Sequence, residues 1–251
     1  MKTPESVIAP IAEVGARISE WRAQIEQRFG SSAQPTVAEV DELIEGLVVP
    51  ALSGHSIEIG GGFVCAPGLL TDREYRLAWW LGRDNTFGLN GSEPRVRMLE
   101  SIEDPAAENF RDYTTLEWWR MPIQSGRHHV TGPYVDYMCT DDYTVTITEP
   151  VTAAGQVIGV VGADIYVRDL EDTLLAELSA YSPGSTLVNS AGRIVVSADS
   201  RHATGTLIQI TGLKEALREM ADGESRILPG GQRVEQISGW NFALISDGGA
   251  S

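Results

Sequence analysis

The chain opens with apolar side chains at spacings of three and four: Val7, Ile8, Ile11, Val14, Ile18, Trp21, Ile25 and Phe29. That spacing lays one apolar stripe along a helix, while Glu5, Glu13, Glu20, Arg22, Glu26 and Arg28 fall mostly off it. The pattern predicts a single long amphipathic helix over the first thirty residues, ended by Gly30-Ser31-Ser32. A second helix is expected after Pro35. Thr36 supplies its N-cap, Glu39 completes a capping box, and Val37, Val40, Leu43, Ile44, Leu47 and Val48 form its apolar face. Pro50 is expected to stop it.

From Ile57 the period shortens from helical to extended. Gly60 to Ala66 reads as a strand entered through a flexible glycine turn, and Arg76–Trp80 and Arg95–Leu99 are further strands, separated by a polar loop around Asn85–Glu93. A short helix is expected from Thr114 to Met121, ended by Pro122. Tyr143–Thr148 alternates, Val157–Ile165 is almost wholly apolar, and Pro150–Gln156 is the expected hairpin turn between them. Arg168–Ser179 is helical, and Ser182-Pro183-Gly184 breaks the chain. Thr186–Asn189 and Arg193–Val196 flank Ser190-Ala191-Gly192 as a hairpin. A helix over Gly212–Ala221 and strands at Ser225–Leu228, Arg233–Ile237 and Trp240–Ile245 complete a smaller antiparallel sheet. The fold class is α+β: a long N-terminal helix followed by two antiparallel-sheet lobes. The expected divisions are 1–35 for the helix, 36–181 for a larger lobe and 182–251 for a smaller one.

Charge narrows the partners. The 251 residues carry a formal net charge of −16, which argues against nucleic acid or an anionic membrane surface and leaves cationic or zwitterionic ligands favoured. No segment approaches the roughly 20 apolar residues that span a bilayer, and no signal peptide is legible. The chain is expected to be cytoplasmic if complete, or extracytoplasmic if it is a sensor segment of a longer membrane protein. Cys65 and Cys139 are too few for a disulfide scaffold; core thiols and a single disulfide both stay open.

Catalytic and metal signals are weak. His128 and His129 are adjacent, so in a strand they point to opposite faces and do not share an ion. Asp141-Asp142 reads as an exposed turn. Gly60-Gly61-Gly62 lacks the Lys-Ser/Thr that would hold a phosphate. Neither a metal nor a cofactor is expected.

Three segments carry a family resemblance: Trp118-Trp119 on a short helix; Val130-Thr131-Gly132-Pro133-Tyr134-Val135-Asp136; and Thr146–Val151 leading into Ile158–Ile165. Together they resemble the first lobe of a double Cache sensor domain, built of PAS-like lobes. Leu187–Val195 and Ser238–Ile245 resemble the second. The resemblance implies a small-molecule-binding sensor for signal transduction, not an enzyme, with its ligand in the first lobe. It also implies a homodimer through the long helix and an unidentified downstream signalling module. Tyr134, Asp136 and Asp164 stand where the amino-acid-binding branch grips the ligand's ammonium group. The branch's carboxylate-clamping arginine falls on Leu116, and its helix tyrosine on Arg111.

The residues fit that implication on their own terms. Two carboxylates facing one cavity repel unless a cation sits between them, and aromatic faces add cation–π attraction. Trp118, Trp119, Tyr134, Asp136 and Asp164 therefore form an expected subsite for an amino acid, amine or quaternary amine, with Arg111 as a candidate partner for a ligand carboxylate. The competing reading is a ligand-free structural or dimerisation module. Trp118 and Trp119 as plain core, Tyr134 as a turn residue and Asp164 as a helix N-cap are its local forms.

Overall fold

The computed structural model describes residues 2–30, 34–54, 56–88, 93–140 and 142–248. Ser31, Ser32, Asp141 and part of the expected loop at 89–92 lie outside the described residues.

The N-terminal stripe forms two helices rather than one, α1 (Pro4–Val7) and α2 (Ala9–Phe29). Pro10 has no amide hydrogen to offer the preceding turn, so the helix is interrupted at Ile8. Val7 to Phe29 of the stripe are all buried, and α2 packs on the central strands of its own chain. The apolar stripe thus lies against the chain's own sheet, so a homodimer through the long helix would not bury it. What α2 leaves exposed is Ala9, Glu13, Ala16, Glu20, Ala23, Gln24, Gln27 and Arg28.

α3 (Val37–Leu52) carries the predicted capping box: Thr36 Oγ1 accepts from Glu39 N, and the Glu39 carboxylate accepts from Thr36 N. Pro50 sits inside its last turn instead of ending it.

Six strands form the first sheet: β1 (Glu58–Cys65), β2 (Leu77–Leu81), β3 (Arg97–Met98), β4 (His129–Val135), β5 (Tyr143–Ala153) and β6 (Gln156–Tyr166), in the order β3-β2-β1-β6-β5-β4 and antiparallel throughout. The expected turn at Pro150 is instead strand. Pro150 pairs with Val160, and the chain reverses at Ala154-Gly155, both with positive φ. After a single 3-10 turn at Tyr113–Thr115 comes α4 (Glu117–Ser125). It runs past Pro122 and ends on Gly126 in the left-handed region, which an L side chain resists.

α5 (Val167–Tyr181) leads to the second sheet. There β7 (Thr186–Asn189), β8 (Ile194–Ser197), β9 (Ser225–Ile227), β10 (Gln232–Gln236) and β11 (Phe242–Asp247) lie in the order β8-β7-β11-β10-β9, with α6 (Leu213–Glu219) against one face. The two sheets meet at β4. Asn241 brackets Val130, its Oδ1 accepting from Val130 N and its Nδ2 donating to Val130 O, both at 2.8 Å. Asn189 Nδ2 donates to Gly132 O at 2.7 Å.

The first sheet is buried on both faces, and alternation sorts its side chains. Val145, Ile147, Val161, Ala163 and Ile165 join α2 in the main core, while Val64, Leu77, Trp79 and Val160 join a second cluster with Tyr113 and Trp119. Gly60-Gly61-Gly62 is strand, not a turn, because large rings lie against it. An added Cβ at Gly61 would stand 3.2 Å from the Trp21 ring, and at Gly60 it would stand 2.9 Å from Trp79 Nε1. A Cβ at Gly62 would meet Ala78 O at 2.1 Å. Two buried carboxylates face the helix: Glu58 lies 2.9 Å from Arg17 Nε, and Glu149 accepts from Ser19 at 2.6 Å beside Arg22.

Gly62→Ala must push backbone apart and is expected to destabilise the domain by about 3 kcal/mol. Gly46→Ala, in open space within α3, should stabilise it by up to about 1 kcal/mol. Chemical denaturation of the two variants beside the parent checks both.

Candidate functional site

The polar face of the first sheet holds the site. On β5, Thr144, Thr146 and Thr148 alternate with the valine and isoleucine that face α2, and on β6 Asp164 does the same between Ala163 and Ile165. α4 lies over this face, held by Thr148 Oγ1 donating to Trp118 O at 2.7 Å. Beneath it is a small cavity with about 20 Å³ of free space, enough for a guest about the size of one water.

Its polar lining is Tyr134, Asp136, Cys139, Thr146 and Asp164; the apolar part includes Trp79, Trp118 and Met138. Among the described residues that line it, none is cationic. Single ligand atoms of Asp136, Cys139 and Asp164 all lie within 4.8 Å of one another, and all three residues are buried. That spacing lets one cation, an ammonium group or a metal ion, contact all three.

With Asp164 ionised, Thr146 Oγ1 donates to Asp164 Oδ1 at 2.6 Å, and since a hydroxyl has one hydrogen, the Tyr134 phenol then donates to Thr146 Oγ1 at 2.8 Å. Asp136 Oδ1 accepts from Met138 N at 2.8 Å. Trp79 Nε1 sits on the same side as the Asp164 carboxylate but completes no hydrogen bond of normal geometry. Burial, then the nearby Asp136 charge, pushes the Asp164 carboxyl well above the usual carboxylate range, against the Thr146 hydrogen bond. Burial and the two acids push the Tyr134 phenol and the Cys139 thiol up as well.

Four of the six expected residues, Trp118, Tyr134, Asp136 and Asp164, line this one cavity. Trp119, the next residue along α4, points elsewhere and packs on Tyr113 at 5.1 Å between ring centroids. Arg111 is exposed and lines a wider outer groove of about 550 Å³. The groove meets the cavity across Trp118, Tyr134, Asp136 and Met138. Asp164 does not cap α5, whose N-cap is Tyr166.

Reading the sequence missed Trp79, Thr146 and Cys139 as lining. Trp79 carries a legible signal, since in the strand Trp79-Trp80 one ring of the pair must face each side of the sheet. Thr146 carries another, standing in a threonine alternation. Cys139 carries none.

His129 donates or accepts at 2.9 Å with Glu117, and the His128 ring lies 4.4 Å from that of Trp240; the two imidazoles have separate partners. Cys65 and Cys139 are both buried and unbonded.

Comparison with known proteins places these features. Residues 97–172 match the family model of the methyl-accepting chemotaxis protein-like first PDC sensor domain. The chain is similar to the ligand-binding domain of the Pseudomonas aeruginosa PAO1 amino acid chemoreceptor PctC in complex with GABA. They share 17% identity and a TM-score of 0.52, over 95% of this chain and 91% of that one. The ligand-binding domain of Campylobacter jejuni chemoreceptor Tlp3 in complex with L-valine gives 16%, 0.52, 96% and 88%. That of P. aeruginosa PctB in complex with L-Arg gives 15%, 0.53, 95% and 87%. A curated relative, citrate (Re)-synthase of Syntrophus aciditrophicus (strain SB), is 31% identical over 86 residues, 33% of this chain. The chain spans only 14% of that protein's length. A helix-backed pair of antiparallel sheets with this topology is the double Cache fold, and residues 97–172 within it are similar to the chemotaxis-receptor-like first PDC sensor domain.

Proposed function

We propose that this chain is a small-molecule-binding sensor domain for signal transduction, and that its ligand is an amine-containing metabolite seated between Asp136 and Asp164. The observation that carries the reading is the convergence of two buried acids and the Trp118 and Tyr134 side chains on one small cavity whose lining, among the described residues, includes no cationic side chain. Two carboxylates that close repel each other, and a guest cation removes that repulsion while gaining the aromatic faces. The ligands in the three related domains, GABA, L-valine and L-arginine, all bear such a nitrogen.

Two groups that could serve catalysis do not favour an enzymatic reading: the cavity's thiol, Cys139, is pushed away from its reactive thiolate form by burial, and the His129 ring is paired with Glu117. A ligand-free module is the other outcome of the test. Arg111, on the outer groove, and Trp119, behind Trp118, take supporting rather than central places.

Asp136→Ala and Asp164→Ala should each weaken binding of a confirmed amine ligand at least tenfold while the domain stays folded, as calorimetry and circular dichroism would report. Parental affinity in both variants would remove this pocket assignment. A thermal-shift screen of amino acids, amines and small carboxylates supplies the ligand, and a screen in which nothing shifts the transition favours the ligand-free module.

Protonation gives a second check. Because Asp164 holds its proton to a higher pH folded than unfolded, its contribution to stability is full below the ordinary value of 3.8 and is lost as pH rises through the raised one. Asp164→Asn cannot ionise. The melting temperature of the ligand-free parent should therefore fall relative to that of Asp164→Asn as pH rises above the ordinary carboxylate value of 3.8, measured by thermal denaturation at several pH values.

A further inference from the structure

The cation reading leaves three ligand classes open: amino acids, simple amines and quaternary amines. We infer that the site selects a primary amine that carries no carboxylate beside its nitrogen. The inference rests on the reading above and follows from donors, charge and space around the two acids.

A ligand carboxylate needs hydrogen-bond donors or a cation, and the cavity supplies neither where it would lie. The Tyr134 and Thr146 hydroxyl hydrogens are both committed inward, along the chain that ends on Asp164 Oδ1. The Trp79 Nε1 hydrogen bears on Asp164: an atom placed as a Cβ on Gly60 would be 2.9 Å from that nitrogen and 3.6 Å from Asp164 Oδ2. An anion there would face the Asp164 carboxylate directly. In an α-amino acid the carboxylate is two bonds from the nitrogen, so it cannot escape this field.

The mouth does not reverse the sign. Arg111 lines the outer groove together with Asp112, Glu117 and Asp136, one guanidinium among three carboxylates. With a chain charge of −16, the approach attracts cations and repels anions.

Space decides between primary and quaternary nitrogen. About 20 Å³ accommodates a water-sized ammonium group. A trimethylammonium head adds three methyl groups to that volume, and Trp79, Trp118 and Met138 already close the apolar side. The alkyl part of a primary amine meets no such limit, since it can extend past Trp118 into the outer groove.

Two matched pairs test this by isothermal titration of the whole chain. Isobutylamine and L-valine differ only in the carboxylate; ethanolamine and choline differ only in three methyl groups. The expected result is binding of isobutylamine at least tenfold tighter than L-valine, and of ethanolamine at least tenfold tighter than choline. L-Valine at parity or better would overturn the exclusion of carboxylates, and choline at parity or better the exclusion of quaternary nitrogen, while either leaves the cation site standing. Asp164→Asn marks the difference: binding of the preferred probe that survives this change places the probe elsewhere and overturns the inference together with the site. Failure of all four probes to bind does the same.

Discussion

The structure depends on a sheet whose central strands have no solvent face. β1, β5 and β6 are covered by α2 and α3 on one side and by α4 with its flanking loops on the other. Every side chain on them must therefore satisfy one of two different interiors. The strict twofold period of a strand sorts them: valine, isoleucine and alanine go to the helix, threonine and aspartate to the cavity. A single residue of slip would bury Asp164 under α2 and turn Ile165 into the site. The register that gives the core is thus the register that gives the chemistry.

The same constraint explains the glycines and the tryptophans. Three consecutive glycines in β1 leave the sheet only one backbone thick, and Trp21 from one side and Trp79 from the other fill the room. Adjacent tryptophans split the same way: Trp79 to the cavity and Trp80 to the helix core, Trp118 to the cavity and Trp119 to Tyr113. What looks like aromatic abundance in the sequence is a division of labour between two faces.

Much of this was legible beforehand, for identifiable reasons. Element type followed hydrophobic period, and the Thr36–Glu39 capping box formed as read. Tyr134 on β4 and Asp164 on β6 meet across Thr146 of β5, with Asp136 just past the end of β4. The prolines misled. Pro50, Pro122 and Pro150 each sit inside an element where an ending was expected, since local loss of one amide hydrogen was outweighed by packing on either side. Pro10, inside the stripe, did interrupt its helix. The glycine run was misread for want of its partners, which lie far away in sequence. Cys139 and the water-scale size of the hollow had no local signature, since both arise only when β1, β2, β5, β6 and the segment after β4 close together. The N-terminal stripe turned to its own sheet, because an apolar stripe says that something covers it, not what.

The amide bracket at β4 has one more consequence. A sheet normally ends in a row of open backbone groups, and such a row is a template on which foreign strands can nucleate. Here Asn241 occupies both backbone groups of Val130, and Asn189 takes the carbonyl of Gly132, so two side-chain amides from the smaller lobe stand in for a neighbouring strand. At the opposite border β3 is two residues long, too short to seed pairing. The larger sheet is thereby terminated at both borders, and the smaller lobe acts as its cap against strand-by-strand polymerisation.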